Sequence, residues 1–214
     1  MFNAQVLSFQ EFIMKEPLPL STLQDAILNF LRDRNDTVLF GAQAVNAYVN
    51  EKRMTEDIDL MSTQADSLAE ELKEHLHTLY HIAIRVRRVA NGKGFRLFQA
   101  KKEGNRHLAD IRSVDNLPDT QRISQVLVLT PIELIASKVI SYYRRRGRPK
   151  AGTDWRDLAM LLLTFPELKK TEGPVAKRLS EANVEKNIMD IWHDLVSQEI
   201  VLEEDDDEFM EVDW

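Results

Sequence analysis

A chain of 214 residues with 43% hydrophobic and 29% charged residues has the size and balance of one globular domain or two small lobes. That composition excludes a collagen-like or wholly disordered chain. The absence of cysteine excludes a disulfide framework and any thiolate-held zinc or iron–sulfur centre. The net charge of −7 hides two opposed regions. Residues 203–214 carry eight acids and no base, and without them the 28 basic residues face 27 acids. Residues 85–150 hold 16 Lys and Arg against five Asp and Glu. A basic middle of this kind suits a polyanion such as RNA, or the phosphates of a nucleotide. The alternative is a solvated surface whose charges point in different directions.

At the N-terminus, Asn3, Gln5, Gln10 and Glu11 interrupt the apolar positions, so no signal-peptide core is expected. No run approaches the roughly 18 apolar residues of a membrane span, and a cytoplasmic protein without membrane partners is the default expectation. Residues 20–34 read as an amphipathic helix with Leu23, Ile27, Phe30 and Leu31 on one stripe and Ser21 as its N-cap. A short strand, Val38-Leu39-Phe40, ends at Gly41 and leads into a helix over 42–51. A strand over 57–61 and a helix over 64–79 follow. Strands are predicted over 81–89, 95–100 and 107–114, and Asn91-Gly92-Lys93-Gly94 forms the hairpin between the first two. That Gly-x-Gly precedes no helical pattern, so it is not a phosphate loop. From Pro131, with Thr130 as N-cap, the pattern is helical: Leu134, Ile135, Lys138 and Val139 lie at helical spacing. A basic break over 144–150 precedes helices over 154–163 and 184–201. These patterns predict an α/β lobe with a mixed sheet over 1–125, a helical lobe over 126–202, and an acidic tail over 203–214 that is disordered in isolation. The tail is read as a solubilising end, a polyanion mimic for the basic surface, or a docking segment anchored by Trp214.

The sharpest chemical signal is Thr55-Glu56-Asp57-Ile58-Asp59-Leu60. In a strand, residues two apart share a face, so Asp57 and Asp59 project together while Ile58 and Leu60 enter the core. Paired carboxylates repel unless a cation lies between them, and oxygen-only ligands suit Mg²⁺ or Mn²⁺. A lone Asp-x-Asp is more often a solvent-facing strand end. Two features strengthen it. Gly41 sits between strand and helix, where a glycine either makes a plain turn or lets backbone N–H groups approach a phosphate. Asp110 lies between apolar neighbours in a later strand, where an acid is either a sheet-edge residue meeting water or a third carboxylate for a two-metal centre. His75, His77 and His81 read as a solvated helix end. Tyr142 and Tyr143 beside Arg144-Arg145-Arg146 suit either base stacking or ordinary packing.

The run Gly41-Ala42-Gln43-Ala44 … Arg53-Met54-Thr55-Glu56-Asp57-Ile58-Asp59-Leu60, with Leu134-Ile135-Ala136-Ser137-Lys138, Arg148-Pro149-Lys150 and Asp154-Trp155-Arg156-Asp157-Leu158, resembles the minimal nucleotidyltransferases of the DNA polymerase β superfamily. The likeness is greatest to the AbiE-type effectors of type IV toxin–antitoxin systems and covers about residues 38–163. It implies a nucleotidyltransferase-like mixed sheet flanked by helices, followed by a C-terminal helical lobe. The implied activity is transfer of a nucleoside monophosphate from an NTP to an acceptor hydroxyl, with Mg²⁺ or Mn²⁺ as cofactor. Asp57, Asp59 and Asp110 would then bind metal and carry catalysis. Gly41 and Ala42 would hold the outer phosphates, with Lys138, Arg148 and Lys150 as phosphate-facing cations. Asp154 or Asp157 would orient the lysine or meet the nucleotide. RNA, such as a tRNA 3′ end, is the expected acceptor through residues 85–150, and an antitoxin is an expected partner. Ala42 departs from the family's usual second Gly or Ser, removing a hydroxyl while keeping the backbone donor. A protein or small-molecule acceptor, or an inactive nucleotide- or partner-binding module, are the rival readings.

Overall fold

The computed structural model describes residues 18–201; the expectations for the N-terminal 15 residues and for the acidic tail lie outside the described residues. In chain order the elements are α1 (Leu20–Phe30), β1 (Thr37–Phe40), α2 (Gly41–Asn46), β2 (Ile58–Ser62), α3 (Ala65–Tyr80), β3 (Ile84–Val89), β4 (Gly94–Lys101), β5 (Gly104–Ser113), β6 (Thr120–Ile123), β7 (Val126–Leu129), α4 (Pro131–Arg144), α5 (Lys150–Thr164), α6 (Pro174–Glu181) and α7 (Lys186–Ser197).

The seven strands form one mixed sheet in the order β3-β4-β5-β2-β1-β7-β6. β2 runs antiparallel to β1 and parallel to β5, while β1 and β7 are parallel. This is the mixed α/β class expected from the sequence. Two-residue alternation builds the core face: Ile58, Leu60, Phe95, Leu97, Ala109 and Ile111 are buried, and α1 and α3 pack there. The stripe Leu68, Leu72 and Leu76 of α3 is fully buried, each such leucine contributing about 1.5–3 kcal/mol. A second packed group is centred on α4, which meets α5, α6 and α7 through Val139, Leu161, Leu179 and Trp192. No helix among the described residues is long and apolar enough to cross a membrane.

Several local features differ from the sequence reading. β6, β7 and α6 are additional elements. The β6–β7 turn places Ser124 and Gln125 at φ 48° and 69°, positions that a hairpin signal normally fills with Asn or Gly. α1 begins after Pro19, and Ser21 is buried in its first turn without capping it. α2 stops at Asn46 because that side chain turns to Arg53: its Nδ2 donates to the Arg53 carbonyl at 2.8 Å, and the Arg53 N–H donates back to Oδ1 at 3.1 Å. α5 starts at Lys150, four residues before the expected Asp154. Thr130 caps α4 as expected, its side chain accepting from the Glu133 N–H.

Candidate active site

Strand pairing aligns the acids. Asp59 of β2 is the register partner of Asp110 on β5, and of Phe40 on β1 at its other side. Asp57 lies just before β2 and two residues from Asp59, so all three acids share the sheet face opposite the Ile58–Leu60 core. Gly41 follows Phe40 with φ +71°, and a Cβ built there would lie 2.0 Å from Asp59 Oδ2. Any other residue would be strained here: the backbone occupies the left-handed region and the space belongs to a carboxylate. Ala42 follows as the second residue of α2, half-buried. Burial pushes Asp59 up to about 6, with the charges of Asp57 and Asp110 adding to the rise and those of Lys138 and Arg112 opposing it.

A histidine that the sequence reading did not single out sits between two of these acids. His107 Nδ1 is 3.0 Å from Asp57 Oδ2, and Nε2 is 3.2 Å from Asp110 Oδ1. Residues 107 and 110 are an odd number apart and should face opposite ways in a regular strand. The register of β4 on β5 shifts between Leu97 and Phe98, so that Leu97 faces Ala109 while Phe98 faces His107. Leu108 is the extra residue of this bulge, and it turns His107 onto the acid face. Its trace in the sequence is the adjacent apolar pair Leu108-Ala109, both buried, in a strand that otherwise alternates. Phe98 stacks on the imidazole at 5.0 Å between centroids. Hydrogen bonding to Asp110, then to Asp57, raises His107 to about 9. Burial works to raise Asp110, but His107 and Arg96 outweigh it and hold the carboxyl below its ordinary range; Arg96 Nε donates to Asp110 Oδ1 at 2.9 Å. Asp57, His107 and Asp110 each offer a ligand atom, all within 4.8 Å of one another.

Lys138, Asp154 and Asp157 converge in a second cluster. Lys138, 7% exposed, reaches Asp157 Oδ2 at 2.6 Å and Asp154 Oδ1 at 3.4 Å. Arg53 grips the fully buried Asp157 in a fork, Nε to Oδ1 at 2.7 Å and Nη2 to Oδ2 at 2.9 Å. Arg145 donates to Asp154 at 2.9 Å. Burial works to raise Asp157, but Arg53 and Lys138 prevail and keep it ionised below the usual carboxylate range. Arg53 lies four residues before Asp57, so this network ties the helical elements to the strand that carries the acids. Arg148 and Lys150 are exposed at the α4–α5 junction.

The pairing also defines a cationic row. Arg87 of β3 faces Arg96 of β4, which faces Asp110; Arg85, two residues from Arg87, shares that face. Tyr143 lies under Arg146, 4.2 Å from its ring centroid, and Tyr142 leans on Trp155. The three other histidines of the sequence reading stand apart: His75 packs on Phe30 and His77 hydrogen-bonds the Ile82 carbonyl, while His81 is the left-handed residue ending α3.

The model of the AbiEii family, described as nucleotidyl transferase AbiEii toxin, type IV TA system, matches residues 23–214. No curated protein matches. Among solved structures, the Megavirus polyadenylate synthase aligns with TM-score 0.56 and 16% identity over 69% of this chain, which spans about a third (32%) of the viral enzyme's length. JHP933 from Helicobacter pylori aligns with TM-score 0.53 and 16% identity, over 89% of this chain and 90% of its own. The chain belongs to the AbiEii nucleotidyl transferase family.

Proposed function

We propose that the chain moves a nucleoside monophosphate from an NTP to a hydroxyl of an RNA, such as a tRNA 3′ end, in a reaction that depends on a divalent metal. The observation that carries this reading is the alignment of Asp57, Asp59 and Asp110 on one face beside Gly41. The donor set fits such an ion. Carboxylate oxygens within reach of one another suit Mg²⁺ and Mn²⁺, and burial together with the charges of Asp57 and Asp110 raises Asp59, a penalty that a bound cation would relieve. A bound ion would neutralise phosphate charge and lower the pKa of the attacking hydroxyl. Asp57, Asp59 and Asp110 would hold it. Gly41 and Ala42 offer backbone N–H groups to the outer phosphates. Lys138 is aimed by Asp157 and Asp154, and Arg148 and Lys150 supply further cations near the entry to α5. Catalysis by such a set rests on positioning and charge stabilisation. The row Arg85, Arg87 and Arg96 leading to Asp110 supports a polyanionic acceptor over a neutral one. As a member of a type IV toxin–antitoxin family, the chain would act against its own cell and be restrained by an antitoxin.

The test supplies purified protein with Mg²⁺ or Mn²⁺ and each NTP labelled at the α-phosphate, with and without total RNA. Label on RNA that disappears with Asp57→Asn is the expected result. Label on the protein itself moves the acceptor to a side chain. An Asp57→Asn variant with undiminished transfer sinks the assignment of the acids. Growth arrest on expression, lost with the same substitution, checks the toxin role.

A further inference from the structure

We propose that His107 is itself a ligand of the catalytic ion, which makes the centre a mixed carboxylate–imidazole site that takes Mn²⁺ ahead of Mg²⁺. The inference rests on the metal-dependent reading above and specifies it. Three observations converge on His107. Its ring is delivered to the acid face by a bulge, a local break in the β4–β5 ladder that gives up regular pairing and re-aims one side chain. The ring is then held in place, stacked on Phe98 at an interplanar angle of 29°. Finally, each ring nitrogen faces a different carboxylate, Asp57 at 3.0 Å and Asp110 at 3.2 Å.

A histidine that only packed against the sheet would need none of these features. Asp57, His107 and Asp110 each present a ligand atom within 4.8 Å of the others, so an ion seated between one ring nitrogen and the carboxylate facing it leaves the other nitrogen donating to the second carboxylate, the arrangement metal-bound imidazoles ordinarily have. Each of these contacts engages one oxygen, Asp57 Oδ2 and Asp110 Oδ1. Asp59 stands behind them, its Oδ2 in the space against Gly41. The consequence for ion choice follows from donor chemistry. Mg²⁺ keeps oxygen ligands and water and gains little from a nitrogen. First-row transition ions accept nitrogen, and Mn²⁺ does so while remaining suited to carboxylates.

The test uses the full chain and Mn²⁺ alone. Pulsed EPR of the Mn²⁺-loaded protein reports directly bound nitrogen, and isothermal titration gives the Mn²⁺ and Mg²⁺ affinities. We expect a ¹⁴N coupling that changes to ¹⁵N in protein labelled at histidine and vanishes in His107→Gln. The same substitution should weaken Mn²⁺ binding by about 10–100-fold or more and change Mg²⁺ binding much less. His107→Asn replaces His107→Gln if circular dichroism shows the latter unfolded. Mn²⁺ bound by wild type with no nitrogen coupling overturns the proposal whatever the variants do. A His107 variant that binds Mn²⁺ as tightly as wild type, or more tightly, also overturns it and makes the ring a stand-in for the ion. If wild type binds neither ion, with or without NTP, the metal-dependent reading itself fails, and that outcome is distinct from the other two.

Discussion

Gly41→Ala isolates the contact between the strand-to-helix turn and Asp59. The added Cβ would lie 2.0 Å from Asp59 Oδ2, whereas ordinary contact begins at 3.4 Å, so the carboxylate must retreat by about 1.4 Å or the turn must open. Displacements near 1 Å in an active site can cost about 100-fold in rate, and we expect at least that loss in kcat. A non-glycine residue in the left-handed region costs about 1–2 kcal/mol, a fraction of the roughly 5–15 kcal/mol of a typical domain, so the variant folds. Gly92→Ala is the matched control: φ is +88° and nothing lies within 4 Å of its Cβ, so it carries the same backbone cost without touching an acid. The assay pairs initial rates of α-labelled NTP incorporation with urea unfolding of both variants. If Gly41→Ala retains wild-type turnover, or if Gly92→Ala loses as much, the close approach to Asp59 is not what the site needs.

Asp157→Ala leaves Lys138 and Arg53 without the carboxylate they share, and a broken buried pair of this kind costs about 3–5 kcal/mol; a loss below about 1 kcal/mol in urea unfolding would contradict the network. Because Asp157 is held below the usual carboxylate range, its contribution to stability is complete above about pH 4 and is lost as pH falls through its lowered pKa. The acid-unfolding midpoint of Asp157→Asn should therefore shift upward and its acid limb flatten, as followed by circular dichroism. Arg87→Glu, on the cationic row, should reduce RNA labelling and flatten its dependence on salt while NTP affinity holds; an unchanged salt slope would remove that strand from the RNA path.

Two-residue alternation made the acids legible. Asp57 and Asp59 had to share a face once Ile58 and Leu60 were read as core, and Asp110 between Ala109 and Ile111 gave the same signal. The same rule concealed His107, because alternation counted back from Asp110 puts it on the opposite face and only the bulge reverses that. Arg53 stood within the quoted motif, yet its partner Asp157 is 104 residues away, and no periodicity reaches across such a gap. Lys138 was recognisable through resemblance alone, since on its own helix it looks like a core-edge lysine. The β6–β7 hairpin was hidden by Ser124 and Gln125, which adopt positive φ without the residues that usually announce it.

The fork between Arg53 and Asp157 also orders events in time. On a ribosome extending by about 5–20 residues per second, the carboxylate that neutralises Arg53 is synthesised roughly 5–20 s after it. For most of that interval the acid-bearing strand and the glycine turn exist while Arg53 has no carboxylate to pair with, and Lys138 follows only 19 residues before Asp157. The nascent chain therefore carries its acids and its glycine turn well before the Lys150–Thr164 helix supplies the carboxylate that closes the network.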